Sequence, residues 1–261
     1  MKPLLDAFTL LTVIPVPFAN RYDTAAGPSK SAPIFFPLVG MFVGLAMAAV
    51  FVVADLFLPV LPVAALVVAA GVAPTGAIHI DGLADFTDGV FGGRTVEDRL
   101  RIMKLPDVGA FGVVAVVLVL LVDWATISSL TAPGVWAALA LAGLVSRTAP
   151  LVVMLMTAYL PPEGLGQSYR GLSRLVVAGS VTFTFLVAVV IGGWLALAVT
   201  LAGLLMAIAV GVVAKKRLGG ATGDVYGASV ELSFAVAMIG VIAIADAGEK
   251  LEPIWVGLQP V

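Results

Sequence analysis

Three aspartates follow a long apolar run at a spacing that suits metal chemistry. Asp81, Asp85 and Asp88 stand at positions i, i+4 and i+7, so an α-helix would carry all three on one face, with a drift of ~20° per seven residues. Carboxylate oxygens suit Mg²⁺ or Mn²⁺, which take one or two protein carboxylates and leave their other positions to water and phosphate. Two interpretations stay open here: an acidic, glycine-rich loop between membrane spans, or a metal site that holds a diphosphate for phosphoryl transfer.

A second candidate region surrounds Asp224, at the mouth of the last apolar run. Glycines let the backbone approach a ligand, and their N–H groups can line an anion. The basic run Lys215–Arg217 precedes this region and either contacts phosphates or anchors a flexible turn at the membrane surface. We interpret Asp224 as a candidate catalytic acid or base. The expected ligand contacts in and around the turn are Lys215, Lys216, Arg217, Gly220, Thr222, Gly223 and Gly227.

Three ionisable residues lie within or at the edge of apolar runs, where charge is costly. Arg147 either contacts a phosphate or pairs with an acid on a neighbouring helix. Asp123 is more typical of a satisfied intramembrane polar group than of a catalytic one. Glu231 is either a partner of the Asp224 region or a protonated carboxyl.

Composition indicates an integral membrane protein. The 261-residue chain is 61% hydrophobic and 11% charged, and its mean hydropathy is +1.13, whereas soluble domains are about 45–50% apolar and about 25% charged. The absence of cysteine excludes disulfides and thiolate chemistry, and the single histidine excludes a multi-histidine metal site. A net charge of -2 gives no basic surface for nucleic acid.

The elements that must position these residues are predicted to be membrane-spanning helices. The fold class we expect is all-α: a polytopic helical bundle forming one integral membrane domain over residues 1–261, with a short N-terminal interfacial helix and about seven spans. A tight turn at Gly192–Gly193 would separate the fifth and sixth spans. The spans are expected near 34–55, 59–79, 111–130, 134–159, 176–194, 196–213 and 229–246.

Positive charge predicts the orientation. If the N-terminus is cytoplasmic, twelve of the fourteen basic residues fall in cytoplasmic segments. The functional loops near 80–110, 160–175 and 214–228 then share the cytoplasmic face. A transporter usually places ionisable residues near the bilayer midplane, and here the candidate groups gather at one surface.

Several motifs, in order along the chain, resemble the cobalamin synthase family, also called adenosylcobinamide-GDP ribazoletransferase. The resemblance covers most of residues 5–235. Leu105 and Ser233-Phe234 depart from it at positions where many members carry acids. The motifs are Pro15-Val-Pro17, Phe36-Pro37-Leu-Val-Gly40, Asp81-Gly-Leu-Ala-Asp85 with Asp88 and Phe91, Arg99, Val108-Gly109-Ala-Phe111-Gly112, Ser146-Arg147, Glu163-Gly-Leu-Gly166, and Thr222-Gly223-Asp224 with Gly227 and Glu231.

The resemblance implies a transferase of the bacterial inner membrane that uses Mg²⁺. It would join α-ribazole, or its 5′-phosphate, to adenosylcobinamide-GDP and release GMP. We expect Asp81, Asp85 and Asp88 to bind the metal, and Asp224 or one of the triplet, with Asp81 as our candidate, to take a proton. Arg94, Arg147 and the run Lys215–Arg217 would contact phosphates, and other enzymes of cobalamin assembly are possible partners.

Two other classes are alternatives. One is a CDP-alcohol phosphotransferase that transfers a lipid headgroup and also clusters aspartates at a membrane face. Its pattern pairs Asp-Gly with a downstream Ala-Arg, which the residues after Gly89 do not reproduce. The other is a membrane transporter, which predicts acids distributed through the spans.

Overall fold

A computed structural model gives the fold and describes residues 2–15, 28–131, 134–161, 165–249 and 251. These residues are helical with no strand, apart from one isolated bridge between Tyr159 and Ala221, which confirms the all-α prediction. The helices are α1 (Lys2–Leu11), α2 (Phe36–Asp55), α3 (Val60–Val72), α4 (Ile78–Gly92), α5 (Val96–Ile102), α6 (Ala110–Ser128), α7 (Val135–Met156), α8 (Arg174–Leu218) and α9 (Gly223–Asp246).

Several helices are long and apolar enough to cross a membrane, as expected of a multi-pass protein. Among the described residues there are five such stretches, or six if α3 and α4 form one broken span. The predicted total of about seven spans is not confirmed. The qualifying stretches are Ala32–Asp55, Ala110–Ser128, Val135–Met156, Arg174–Leu218 and Gly223–Asp246.

The longest helix, α8, folds back on itself. Thr184 hydrogen-bonds Thr148 at 2.7 Å, and a side chain at Gly203 would overlap Val145. Two positions that far apart on one straight helix would be separated by roughly 28 Å, yet both reach the same level of α7. The backbone leaves helical geometry at Gly192 and Gly193, where the sequence predicts a tight turn.

The second predicted span is broken, which differs from the expected continuous helix at 59–79. Gly76 and Ala77 adopt left-handed conformations with φ of 62° and 60°, and α4 leaves at 89° to the preceding segment. At this break, the Pro74 carbonyl accepts the backbone N–H of Val13 at 2.8 Å, which joins the break to the N-terminal segment. The break turns α4 across the ends of its neighbours.

The most buried of the candidate spans is α7, and α2, α8 and α9 pack against it. It meets α2 through backbone contact, since a side chain at Gly40 would overlap the carbonyl of Gly143, and one at Gly44 would overlap that of Leu139. Small residues that allow such close approach are typical of helix pairs in membranes.

Candidate active site

The three aspartates of α4 do not share one environment. The helix forms as predicted, but Asp81 is exposed, Asp85 is half-buried and Asp88 is only 7% exposed. The open, glycine-rich loop that was the alternative for this stretch is wrong.

Asp88 is occupied by the start of α6. Its Oδ2 accepts the N–H of Gly109 at 2.7 Å, and its Oδ1 accepts the N–H of Gly112 at 2.9 Å. Both donors belong to the group of N–H bonds that a helix start leaves without an intrahelical partner. A Cβ at either glycine would overlap the carboxylate. Asp88 therefore clamps α4 to α6, although its role as a metal ligand stays a prediction.

Asp224 lies in the first turn of α9 and faces α4. The predicted span began near 229, but the helix begins at Gly223, so the flexible turn is shorter than expected. A Cβ at Gly82 would come within 3.0 Å of the Asp224 backbone. Because the helices approach this closely, the Asp224 carboxylate interacts electrostatically with those of Asp81 and Asp85.

A hydroxyl donor supports Asp224. Thr222 Oγ1 donates to Asp224 Oδ2 at 3.0 Å. Thr222 precedes the helix and is only 8% exposed. We call Asp81, Asp85 and Asp224 the acidic face. No ion pair joins these three acids to a basic side chain in the described chain.

The segment after α7 flanks the acidic face, a contact that the sequence did not predict. Ala221 donates to the Ala158 carbonyl at 2.8 Å, and Leu160 donates back to Ala221 at 2.9 Å. The rings of Tyr159 and Tyr226 stack with centroids 6.1 Å apart. Burial, with a smaller contribution from the Asp224 carboxylate, raises the pKa of the Tyr159 hydroxyl, so this hydroxyl stays neutral at physiological pH.

The predicted basic contacts separate into two groups. Lys215, Lys216 and Arg217 are exposed on the last turn of α8, and Arg94 is exposed just after α4. Arg99 donates to the Arg217 carbonyl at 3.1 Å, which joins α5 to this end of α8.

Arg147 belongs to a different, buried region. It is 5% exposed, donates to Ser146 Oγ at 2.9 Å and interacts electrostatically with Glu231 and Asp123. His79 Nδ1 lies 4.0 Å from Glu231 Oε1. We call His79, Asp123, Arg147 and Glu231 the buried charge cluster. Its position favours the helix-pairing interpretation of Arg147 that the sequence left open.

A small cavity adjoins this cluster. It has a volume of about 30 Å³ and is lined by Asp123, Arg147 and Glu231. Asp123 Oδ1 and Arg147 Nε have no hydrogen-bond partner in the described part of the chain. The cavity is large enough for an internal water, and these polar atoms are suitable partners for one.

The acidic face fits a divalent cation that substrate helps to hold. Within the described ranges, no three His, Cys, Asp or Glu side chains lie close enough together to form a complete metal site. Mg²⁺ commonly uses only one or two carboxylates and completes its shell with water and phosphate. Asp81 and Asp85, with Asp224 beside them, match that donor set.

Some positions singled out by the sequence lie outside the described residues. They are Pro17 of the N-terminal motif, Glu163 and its following glycine, and most of the C-terminal tail. Of the predicted ligand contacts, Gly220 is buried against the Ala158 carbonyl and Gly227 against His79, while Gly223 is exposed.

The chain is similar to a group of related transferases. It matches the family model described as cobalamin-5-phosphate synthase over residues 3–242. It is 36% identical over 239 residues to an adenosylcobinamide-GDP ribazoletransferase of Prosthecochloris aestuarii, covering 89% of this chain and 94% of the relative. The enzyme of the same name from Pseudomonas putida is 36% identical over 249 residues, which are 92% of this chain and 98% of that one. No solved structure matches the chain.

Proposed function

Since the chain belongs to the cobalamin-5-phosphate synthase family, and so is a transferase of cobalamin synthesis, we propose that it joins α-ribazole or its 5′-phosphate to adenosylcobinamide-GDP with release of GMP. One observation of the fold supports this most strongly. Two helices bring Asp81, Asp85 and Asp224 together at one end of the bundle, with no basic side chain paired to them in the described residues. Such a face is suited to a cation that carries a diphosphate.

Asp81 and Asp85 would hold Mg²⁺, which neutralises charge on the diphosphate when bound. Asp224 lies beside them and would share this role or remain free to move a proton. Asp88 would act through position, because its hydrogen bonds to α6 fix the end of α4.

The transfer needs one proton acceptor. A ribose hydroxyl of the ribazole would attack the phosphorus on the cobinamide side, forming a new P–O bond while the anhydride bond to GMP breaks. Asp224 would take the hydroxyl proton. The Thr222 hydroxyl, which donates to one Asp224 oxygen, would leave the other oxygen to face the nucleophile.

Positive groups at the same end would bind the phosphates. Arg94 and the exposed run Lys215–Arg217 are the side chains in question. Gly223 is exposed at the start of α9, where N–H groups and the helix dipole favour an anion. Buried Gly220 and Gly227 would contribute shape rather than direct contact.

This end of the bundle would face the cytoplasm across a bacterial inner membrane. The basic residues of the loops around α4, α5 and the end of α8 gather there, which is the side that lysine and arginine favour. Soluble nucleotide substrates are then accessible, and other enzymes of cobalamin assembly would dock on this exposed end.

The test uses purified protein in detergent with adenosylcobinamide-GDP, α-ribazole and Mg²⁺, and it follows GMP release. We expect activity in the wild type, its loss in Asp81→Asn and its retention in Asp98→Asn. Asp98 is the matched control, because it is an exposed acid that pairs with Arg101 and is not one of the three acids of the acidic face. Wild-type protein that is folded but releases no GMP would overturn the proposed reaction, and full activity in Asp81→Asn would overturn the metal assignment.

A further inference from the structure

A second polar cavity lies where the segment before α2 meets the start of α8. Its volume is about 350 Å³, within the range of ligand sites. Two basic residues line it, Lys30 and Arg170, and no acid does among the residues that the structure describes. Five hydroxyl-bearing residues add to the polar lining, and they are Ser29, Ser31, Ser168, Tyr169 and Ser173.

Within the described ranges, no carboxylate pairs with the two basic residues of this cavity, Lys30 and Arg170. Asp6, the nearby acid, accepts the backbone N–H of Ser29 at 2.8 Å and does not line the cavity. Cations and hydroxyls without an acid are the donor set that binds phosphate groups.

The start of α8 also favours a negatively charged ligand in this cavity. Ser173 is the N-cap of α8, and its hydroxyl accepts the N–H of Leu175 at 3.3 Å. The start of a helix favours a negative ligand. On the other wall, the Ser29 and Ser31 hydroxyls lie 2.9 Å apart, so both side chains are held at the cavity.

Arg170 connects the cavity to the acidic face. Its Nη2 donates to the carbonyls of Tyr159 and Pro161 at 3.2 and 2.6 Å. Tyr159 in turn stacks on Tyr226, two residues beyond Asp224. One short segment therefore separates the cavity from the acids.

We propose that this cavity binds the 5′-phosphate of the ribazole substrate, a phosphate monoester, while the diphosphate of the other substrate lies at the acidic face. The inference rests on the proposed function, because it assigns one of that reaction's two substrates. The diphosphate must lie beside the acids, where its bond breaks, so a separate cationic cavity suits a separate phosphate. A membrane lipid is the other source of phosphate for such a cavity, but its usual diester carries less charge than a monoester.

The test compares Lys30→Gln with Lys104→Gln, an exposed lysine at the same end that does not line the cavity. We would measure KM for ribazole 5′-phosphate and for free ribazole with saturating adenosylcobinamide-GDP. Loss of one charged contact should raise KM for the phosphorylated substrate about tenfold or more in Lys30→Gln alone. The KM for free ribazole should stay unchanged in both variants.

Three results would overturn the assignment: an equal rise for both ribazoles, a rise only for the corrinoid substrate, or a loss only of activation by added anionic lipid. Binding of ribose 5-phosphate, measured by calorimetry, keeps this test separate from turnover. Failure of the proposed reaction appears as absent GMP release in the wild type. Failure of this inference appears as equal ribose 5-phosphate affinity in wild type and Lys30→Gln.

Discussion

The acidic face and the buried charge cluster both place carboxylates on α4 or α9, but only the cluster adds residues of α6 and α7, and the two regions reach opposite outcomes. His79 and Asp81 are two residues apart on α4, and Asp224 and Glu231 share α9. Asp81 is exposed and has no basic partner in the described chain, while buried Asp123 and mostly buried Glu231, whose side chain is 13% exposed, interact with Arg147. Depth decides the difference, since a buried acid needs a built-in partner. At the exposed end of the bundle, an acid is solvated without a protein partner and can bind a cation from solution.

The largest expected effect breaks the acidic face without disturbing the cluster. Asp81→Asn should lower the rate of GMP release roughly 100-fold or more, because it removes a carboxylate that would hold the cation. Loss of a group that stabilises charge in the transition state has an effect of this size. The melting temperature should change little, because the side chain is exposed. A variant with the wild-type rate would show that the two regions do not differ in function as we infer.

The next effect breaks the cluster. Arg147→Met should reduce the free energy of unfolding by about 3–5 kcal/mol, because it leaves buried acids without their partner. Denaturation in detergent would measure this change. Replacing Asp123 and Glu231 by leucine as well should restore most of the lost stability. Unchanged stability with a higher KM for the corrinoid substrate would move Arg147 from the cluster to the phosphate site.

Asp88 tests whether the third aspartate of α4 has a structural role, like the buried charge cluster, or binds metal, like the acidic face. Asp88→Asn should cost about 1–3 kcal/mol of stability, because the amide offers one acceptor where the carboxylate offers two to α6. The Mg²⁺ concentration for half-maximal activity should not change. A tenfold higher Mg²⁺ requirement at unchanged stability would return Asp88 to the metal ligands.

The smallest expected effect concerns the support of Asp224. Thr222→Val removes the hydroxyl that donates at 3.0 Å and keeps the shape of the side chain. A single hydrogen bond of this kind contributes about 0.5–1.5 kcal/mol, so kcat should fall by a few-fold. Thr222→Ser should keep the wild-type value, and an equal fall in both variants would show that the hydroxyl is not the cause.

Local patterns predicted the all-α fold, the helix that carries Asp81 and Asp85, and the turn within α8. The spacing of Asp81 and Asp85 predicts a shared helix face, and Gly192–Gly193 marks the reversal of α8. These features depend on residues within one or two turns of each other. The sequence therefore carries them directly.

Contacts between distant segments account for what the sequence did not show. Asp88 meets Gly109 and Gly112 only because α4 turns across the start of α6. The glycines around Gly223 resemble a flexible loop in sequence, yet Gly227 lies in a helix and allows α9 to touch α4. Tyr159 lies beside the acidic face because its segment forms a β-bridge with Ala221, which no spacing along the chain predicts.

The reversal at Gly192–Gly193 also bears on how the chain enters the bilayer during synthesis. Gly193 has φ 63° and ψ −154°, a conformation that essentially only glycine adopts. The insertion machinery would thus receive α8 as a hairpin whose two ends return to the same side. A side chain at Gly193 would favour one uninterrupted helix over the hairpin, and α9 would then enter with the opposite direction. The backbone at Gly193, far from the acids, would then determine whether Asp224 and Asp81 reach the same side of the membrane.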